Sequence, residues 1–243
     1  LPMPLLEIAA ASIASAIAAQ EGGADRIELC ANLREGGTTP SPGTIIEARA
    51  RLRIPIHVLI RPRGGDFLYD EAEVATMLAD IDACVQAGAD GVVVGALDAE
   101  GDLDIAVCRR LIAAAGPLEV TFHRAFDAAR DRHAALEAIV ALGCKRILTS
   151  GGAPSAMAGA DAIAQLVRQA AGRITIMAGG GVNADNVRDL VARTGIMECH
   201  ASASATQRSA MRWRNSELPG LEPDHVQTDL ARVRALADAL RAH

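Results

Sequence analysis

Short apolar runs recur along the chain, and each follows a helix-like stretch that ends at a glycine. Three examples are AGADGVVV at 87–94, LGCKRILT at 142–149 and AAGRITIM at 170–177. A glycine that closes a helix and is followed at once by apolar residues is typical of a helix-to-strand junction. Such glycines recur every 23 to 29 residues, at Gly88, Gly116, Gly143, Gly172 and Gly195. The pattern therefore predicts an α/β protein built from repeated strand–helix units.

Counting the apolar runs predicts eight strands, and helices fill the gaps between them. The predicted strands are Leu5–Ala9, Arg26–Cys30, Pro55–Arg61, Gly91–Leu97, Glu119–His123, Arg146–Ser150, Ile174–Ala178 and Ile196–Ala201. Predicted helices include Glu71–Ala87 and Asp161–Ala171, and a last one at Thr228–Arg241 follows a long loop at Ser204–Gln227. Eight alternating strands and helices predict a (β/α)8 TIM barrel. No linker divides residues 1–243, so a single domain is expected; an open doubly wound sheet is the alternative fold.

Alternate side chains of a barrel strand face the helices or the barrel axis, so the apolar positions fix the parity of each strand. Barrel interiors are normally filled with Val, Ile and Leu. Here the parity places a polar set on the axis, comprising Glu7, Glu28, His57, Arg61, His123, Glu198 and His200. We therefore predict a site whose catalytic groups are Glu7, Glu28, His57, Arg61, His123 and His200. The alternative is a structural network in which Glu7 or Glu28 neutralises Arg61.

Glycine-rich loops and arginines are predicted at the carboxyl ends of the strands, where barrel active sites lie. AGGGVNADN at 178–186 follows strand 7, with Asn183 as the expected N-cap of the next helix, and TSGGAPS at 149–155 follows strand 6. Backbone N–H groups of such loops can cradle an anion, although glycines also simply make tight turns. Arg61 and Arg63 are expected to clamp the anion, unless Glu28 and Asp66 neutralise both. The predicted ligand-binding residues are Arg63, Asp66, Arg124, Thr149, Gly151, Gly152, Gly179, Gly180, Gly181 and Ser202.

Composition narrows the function further. A net charge of −6 and an aromatic content of 2% argue against nucleic acid, which requires a basic face and stacking side chains. Five scattered cysteines without a CxxC pair indicate a reducing compartment, and no apolar run reaches membrane length, so a cytoplasmic protein is expected. The single lysine, Lys145, precedes strand 6 at the face opposite the expected site, which excludes Schiff-base catalysis.

Several motifs together resemble the CutC family, named for copper homeostasis. They run in order between Leu5 and Asn215: RIELCANLREGGTTPS, IPIHVLIRPRGGDFLY, VTFHRAFD, RILTSGGAP, IMAGGGV, HASAS and MRWRN. The resemblance implies a cytoplasmic barrel, a homo-oligomer and a role in copper binding or tolerance, with Cys30 of the ELCANL motif as the metal ligand. Cu(I) requires two or three soft ligands, and no second cysteine is expected beside Cys30. A site of Cys30 with a histidine and a merely buried Cys30 both stay open.

Three classes of function remain. The first is the copper-handling protein that the resemblance implies, with Cu(I) as its ligand. The second is an enzyme that acts on a small anionic metabolite carrying phosphate or carboxylate. In that enzyme Glu28, His123 and His200 would hold a borderline divalent metal, or His123 or Glu28 would be the base while Arg61 steadies an oxyanion. The third is a regulatory or scaffold barrel without chemistry.

Overall fold

Eight parallel strands form a closed barrel in the computed structural model, which describes residues 3–215 and 217–242. The strands are β1 (Leu5–Ala10), β2 (Arg26–Leu29), β3 (Ile56–Leu59), β4 (Gly91–Val94), β5 (Glu119–Phe122), β6 (Arg146–Thr149), β7 (Thr175–Gly179) and β8 (Glu198–Ala201). Consecutive strands pair, and β1 pairs with β8 to close the sheet. The predicted (β/α)8 barrel is confirmed. The predicted domain at 1–243 also includes Leu1, Pro2, Ser216 and His243, which lie outside the described residues.

Helices surround the barrel and fill the gaps that the sequence pattern predicted. They are α1 (Ile13–Glu21), α2 (Pro42–Arg51), α3 (Glu71–Ala87), α4 (Ile105–Ala115), α5 (Ala125–Ala128), α6 (Arg132–Leu142), α7 (Ala160–Ala170), α8 (Val187–Thr194) and α9 (Leu230–Arg241). Helix α3 has the predicted bounds because its ends are well marked. Asp70 and Glu73 form a reciprocal capping box at its start, and Gly88 ends it at a φ of +76°, in the left-handed region.

The structure differs from the prediction mainly in the loops and at element ends. The predicted loop at Ser204–Gln227 contains an antiparallel hairpin of β9 (Ser204–Gln207) and β10 (His225–Thr228), two strands too short and polar to be recognised from the sequence. The predicted N-cap at Asn183 is wrong, since α8 begins after Asn186. The Asn183 side chain instead accepts the N–H of Asp185 at 2.9 Å, in a turn before the helix.

The main apolar core lies between the strands and the helices, as the parity prediction requires. Outward-facing residues of β1 and β2, such as Leu6, Ile8 and Ile27, are fully buried in it. On the barrel axis the apolar packing is reduced to a small cluster of Cys30, Leu59 and Val93. No helix among residues 3–215 and 217–242 combines the length and apolarity that a membrane crossing requires.

Candidate functional site

A network of charged side chains fills the amino-terminal half of the barrel. Arg26, Glu119, Arg146 and Glu198 are the first residues of β2, β5, β6 and β8. Arg146 donates to Glu198 at 3.0 Å and to Glu119 at 2.8 Å, while Arg26 donates to Glu198 at 2.5 Å. Both guanidinium groups are almost fully buried and are therefore neutralised by carboxylates within the barrel.

His57 belongs to this lower network. Its Nε2 lies 3.7 Å from a Glu119 oxygen and its Nδ1 lies 3.5 Å from Arg146. Burial lowers the pKa of His57 to about 4, so the ring is neutral. The expectation that His57 would share one cavity with Glu28, Arg61, His123 and His200 is wrong, because His57 lies in the layer below it.

Glu7 connects the lower network to the upper half of the barrel. Its carboxylate accepts a hydrogen bond from Arg26 and another, at 2.7 Å, from Nδ1 of His200. Burial alone would raise the pKa of Glu7, but the Arg26 charge together with the hydrogen bond and charge of His200 and the charge of His57 outweighs burial and holds the pKa well below its usual range. Because Glu7 is ionised, Nδ1 of His200 carries a proton, and Nε2 is the nitrogen that faces upward.

Glu28 and His200 form a buried pair above Glu7. Nε2 of His200 lies 3.8 Å from a Glu28 oxygen. Burial, together with the negative charge of Glu7, raises the pKa of Glu28 to about 7. Burial disfavours a charged His200, but Glu28 and Glu7 outweigh this effect and raise the pKa of the ring. A buried carboxyl group with a pKa near 7 beside a histidine is the kind of pair that general acid–base catalysis uses.

A cavity of about 580 Å³ opens above this pair at the carboxyl ends of the strands. Glu28 and His200 line it together with Arg61, His123 and Phe67, and its far side is formed by the loops after β6 and β7. Its size is that of a typical small-molecule site. Four of the six predicted catalytic residues thus meet at one cavity, with Glu7 directly beneath them.

Arg61 is held mainly by backbone carbonyl groups. Its Nη1 donates to the carbonyls of Glu35 and Gly37 at 2.8 Å each, and its Nη2 donates to Gly65 at 2.8 Å. The guanidinium therefore ties the loop after β2 to the loop after β3. Its charge stays uncompensated by any described carboxylate within 4 Å, so it contributes a positive field to the cavity.

The predicted clamp of Arg61 and Arg63 does not form. Arg63 does not line the cavity: its Nε donates to Glu73 at 2.5 Å and its Nη2 to the Leu68 carbonyl at 2.8 Å. Asp66 lies 3.1 Å from the same guanidinium and is largely exposed. Pairing with Asp66 and Glu73 thus consumes Arg63 outside the site, which is the alternative that the sequence left open for this residue.

Asp127 organises the loop after β6. Its carboxylate accepts the Thr149 hydroxyl at 2.5 Å and the N–H groups of Ser150 and Gly152 at 3.0 Å each. The Gly151 N–H in turn donates to the Thr149 hydroxyl at 2.8 Å. The predicted anion donors of this loop are therefore already occupied. Asp127 substitutes for the expected ligand there.

The loop after β7 keeps the geometry that an approaching ligand needs. Gly180, at a φ of +105°, and Gly181 line the cavity without a side chain. A side chain at Gly179 would come within 2.6 Å of Leu148, so close packing explains that glycine. Arg124 is 46% exposed and lines the cavity beside this loop, where it donates to Ser150 at 2.8 Å and to Asp127 at 2.7 Å. Ser202, the residue after β8, also lines the cavity.

The donor set does not fit Cu(I). Cys30 is buried, its Sγ donates to the Ala10 carbonyl at 3.7 Å, and burial raises the pKa of its thiol. Within the described part of the chain, one group of three His, Cys, Asp or Glu side chains has converging ligand atoms, namely Glu7, Glu28 and His200. It contains no cysteine, and the predicted ligand His123 is not a member. Carboxylates and imidazole suit harder metals than Cu(I).

Two members of that group are already engaged with each other. Glu7 accepts bonds from Arg26 and His200, so a cation there would have to displace a buried guanidinium or a histidine proton. The arrangement is better suited to holding and moving a proton than to holding a metal ion.

Comparison with known proteins shows a match over most of the chain. Residues 4–205 match the model of the CutC family. The family protein CutC of Chromobacterium violaceum is 52% identical over 242 residues, which cover 97% of this chain and 98% of the relative. The protein of the same name in Xanthomonas axonopodis pv. citri is 53% identical over 236 residues, with the same two coverages.

Solved structures confirm the architecture. The copper homeostasis protein CutC from Streptococcus agalactiae superposes with a TM-score of 0.79 at 36% identity, covering 82% of this chain and 98% of that one. Thiamine phosphate pyrophosphorylase from Pyrococcus furiosus gives a TM-score of 0.61 at 18% identity, covering 98% of this chain and 95% of that one, which shows the shared fold alone.

Proposed function

The chain belongs to the CutC family, and on that premise we propose that it is an enzyme that binds a small anionic metabolite in the mouth cavity and transfers a proton with Glu28 and His200. The observation that carries the proposal is the buried Glu28–His200 pair at the floor of the cavity. A buried carboxyl group whose pKa is raised to about 7, beside a histidine in a cleft, is typical of a catalytic site.

Glu7 fixes the tautomer and the orientation of His200 in this pair. By accepting the Nδ1 proton of His200, Glu7 fixes the tautomer and leaves Nε2 to face Glu28 and the cavity. A buried carboxylate in this place also stabilises the imidazolium form when His200 takes a proton. Glu28 and His200 are therefore the groups that take and return a proton, and Glu7 is a positioning residue.

The cavity walls favour a negatively charged ligand. Arg61 supplies a positive charge that no described carboxylate neutralises, and Arg124 adds a half-exposed guanidinium that Asp127 partly neutralises at 2.7 Å. Gly180 and Gly181 allow close approach of the backbone. Lys145, the single lysine, is exposed next to the amino end of β6, at the far end of the barrel, so imine chemistry has no amine in the cavity.

Thermal unfolding in the presence of small acids tests this proposal. We expect inorganic phosphate, oxalate or a phosphorylated acid to raise the unfolding midpoint with concentration, because the ligand binds the folded state alone. Arg124→Ala should weaken the shift. Arg63→Ala is the matched control and should retain it, because Arg63 pairs with Glu73 outside the cavity. No shift in the wild type with any of these acids would contradict the proposal.

The same measurement at several pH values tests whether anion binding depends on the protonation of Glu28 or only on the fixed charges of the cavity. Glu28 acquires its negative charge as the pH rises through about 7, so anion binding should weaken over that range. Glu28→Gln should remove most of this pH dependence while leaving binding at pH 6 intact. A variant as pH-dependent as the wild type would contradict the role of Glu28.

Copper handling is the second candidate, and the name of the Streptococcus agalactiae relative is what favours it. Cys30 is the soft ligand it would use, although Cys30 packs with Leu59 and Val93 and no described cysteine lines the cavity. All five cysteines are free and buried, which supports a reducing, cytoplasmic location.

A further inference from the structure

His123 is held in one tautomer by the backbone. The N–H of Ala125 donates to Nδ1 of His123 at 3.1 Å, so Nδ1 is an acceptor and the ring proton resides on Nε2. Burial, and after it the nearby Arg61 charge, lowers the pKa of His123 to about 3, so the ring is neutral. His123 therefore presents a fixed N–H donor and cannot serve as the base.

That donor has no acceptor among the described residues. Nε2 of His123 is buried and has no hydrogen-bond partner. The residue is only 4% exposed, and it lines the cavity. Buried donors in folded proteins are nearly always paired, so such an atom calls for a partner. Because the ring lines the cavity, a bound molecule is the partner that the site can supply.

A positive charge lies beside this donor. The guanidinium of Arg61 and the ring of His123 both pack on Phe67. The centroid of the Phe67 ring lies 5.1 Å from Cζ of Arg61 and 5.1 Å from the centroid of the His123 ring. Nε of Arg61 is likewise buried without a hydrogen-bond partner. Arg61 also lies near the buried hydroxyl of Tyr69, whose pKa burial raises to about 12. His123 thus lines the cavity with an unpaired donor on its ring, and Arg61 supplies positive charge beside it.

An N–H donor next to a guanidinium selects an oxygen that carries no proton and gains negative charge. We propose that Nε2–H of His123, with Arg61 beside it, binds the carbonyl oxygen of the substrate, and that the reaction is proton transfer at the carbon next to that carbonyl. This inference rests on the proposed function and names its substrate class, a carbonyl compound.

The reaction balances without a further reagent. The Glu28–His200 pair removes a proton from the carbon next to the carbonyl, and the C–H electron pair forms a carbon–carbon double bond. The carbonyl π pair moves to the oxygen, which becomes an enolate oxygen held by Nε2–H of His123. Return of the proton to the oxygen gives the enol and completes a keto–enol isomerisation. A neutral imidazole as electrophile with a separate base is an established division of roles for enolisation.

Oxalate is a suitable probe because it is a planar anion that resembles the enolate of a 2-oxo acid. Nitrogen-15 NMR of histidine-labelled protein reports each ring separately, with His133 on the outer surface as the internal reference. We expect His123 to be the neutral Nε2–H tautomer from pH 5 to 8. Saturating oxalate should shift the His123 Nε2 and H resonances and leave those of His133 unchanged.

Two substitutions separate the donor from the ring. His123→Gln keeps an amide N–H near the position of Nε2. His123→Leu removes the donor, and it also leaves the N–H of Ala125 without Nδ1 as its acceptor, so its folding is checked by its unfolding midpoint. Oxalate should bind the Gln variant within about threefold of the wild type, and the Leu variant about tenfold or more weakly, the usual effect of losing a hydrogen bond to a charged group.

Failure of the inference is distinguishable from failure of the proposed function. If oxalate raises the unfolding midpoint but leaves the His123 resonances unchanged, or binds the Leu variant as tightly as the wild type, the inference is overturned and the proposed function stands. If oxalate does not bind while inorganic phosphate does, the inference is again overturned alone. If none of the acids binds, both are overturned.

Discussion

At the scale of a single residue, the surroundings of Cys30 determine how well the protein can bind Cu(I). Its thiol packs with Leu59 and Val93 on the barrel axis and donates to the Ala10 carbonyl. Burial raises the pKa of the thiol, whereas a metal needs the thiolate. A lone buried thiol of this kind serves mainly as a small apolar side chain.

We therefore predict weak Cu(I) binding that depends on Cys30. Titration against a Cu(I) chelator should show an affinity far below that of sites with two or three thiolates, and Cys30→Ser should reduce it further. Cys84→Ser is the matched control, because Cys84 is equally buried but lies on α3. Tight binding that survives Cys30→Ser would contradict this prediction.

Individual residues also show where sequence reasoning stops. Strand parity correctly placed Glu7, Glu28, Arg61, His123 and His200 inside the barrel. It could not reveal that carbonyl groups of two loops receive the Arg61 guanidinium, because loop conformations depend on contacts distant in the sequence. Asp127 was missed for the same reason, since nothing in its neighbourhood marks it as the acceptor for the loop after β6.

At the scale of elements, charged residues occupy the same position, the first, in several of the barrel strands. The first residues of β2, β5, β6 and β8 are charged, and together they fill the amino-terminal half of the barrel. The sequence pattern already contained this information. Ile27 and Ile147 face the helices, so the parity rule places their neighbours Arg26 and Arg146 inside the barrel. The rule was not applied to the first residue of each strand, and these two arginines were therefore missed.

Arg146→Met should therefore destabilise the protein strongly. It removes one of the two arginine partners of the mostly buried Glu198, as well as a partner of the half-exposed Glu119, and breaking a buried ion pair typically costs about 3 kcal/mol or more. Chemical unfolding measures the loss. Arg51→Met is the control, because Arg51 forms an exposed pair with Glu47 and should change little. Equal stabilities of the two variants would show that the network is dispensable.

Protonation of the site couples to the stability of the whole molecule. Glu28 has a folded-state pKa of about 7, above its usual value of 4.5. Its contribution to stability is therefore complete below pH 4.5 and is lost as the pH rises through 7. The raised pKa of His200 acts in the same direction, whereas the lowered pKa of Glu7 matters only below pH 4.5.

We predict that the free energy of unfolding falls between pH 5 and pH 8, by up to about 3 kcal/mol from Glu28. Glu28→Gln should flatten the profile, while Glu47→Gln, an exposed carboxylate, should leave it unchanged. Urea unfolding followed by circular dichroism is the suitable measurement, because the single tryptophan, Trp213, is 78% exposed. Parallel profiles for the wild type and Glu28→Gln would contradict the prediction.

Assembly of the molecule stays a prediction. The family resemblance implies a homo-oligomer, and sedimentation would compare the mass in solution with the 25.2 kDa of one chain. The hairpin of β9 and β10 was invisible in the sequence pattern, yet the loop it supports exposes large apolar side chains, among them Met211, Trp213 and Leu221. Variants of this loop are the natural starting point if the mass exceeds one chain.

The position of Lys145 has a practical consequence. This residue is exposed at the start of β6, and its side chain is the one lysine amine in the chain. The mouth cavity opens at the other end of the barrel. With the terminal α-amino group blocked, coupling through that side-chain amine would fix the protein to a sensor surface in one orientation, with the cavity facing the flowing solution. Immobilised in this way, the barrel could be screened against libraries of small acids without blocking its own entrance.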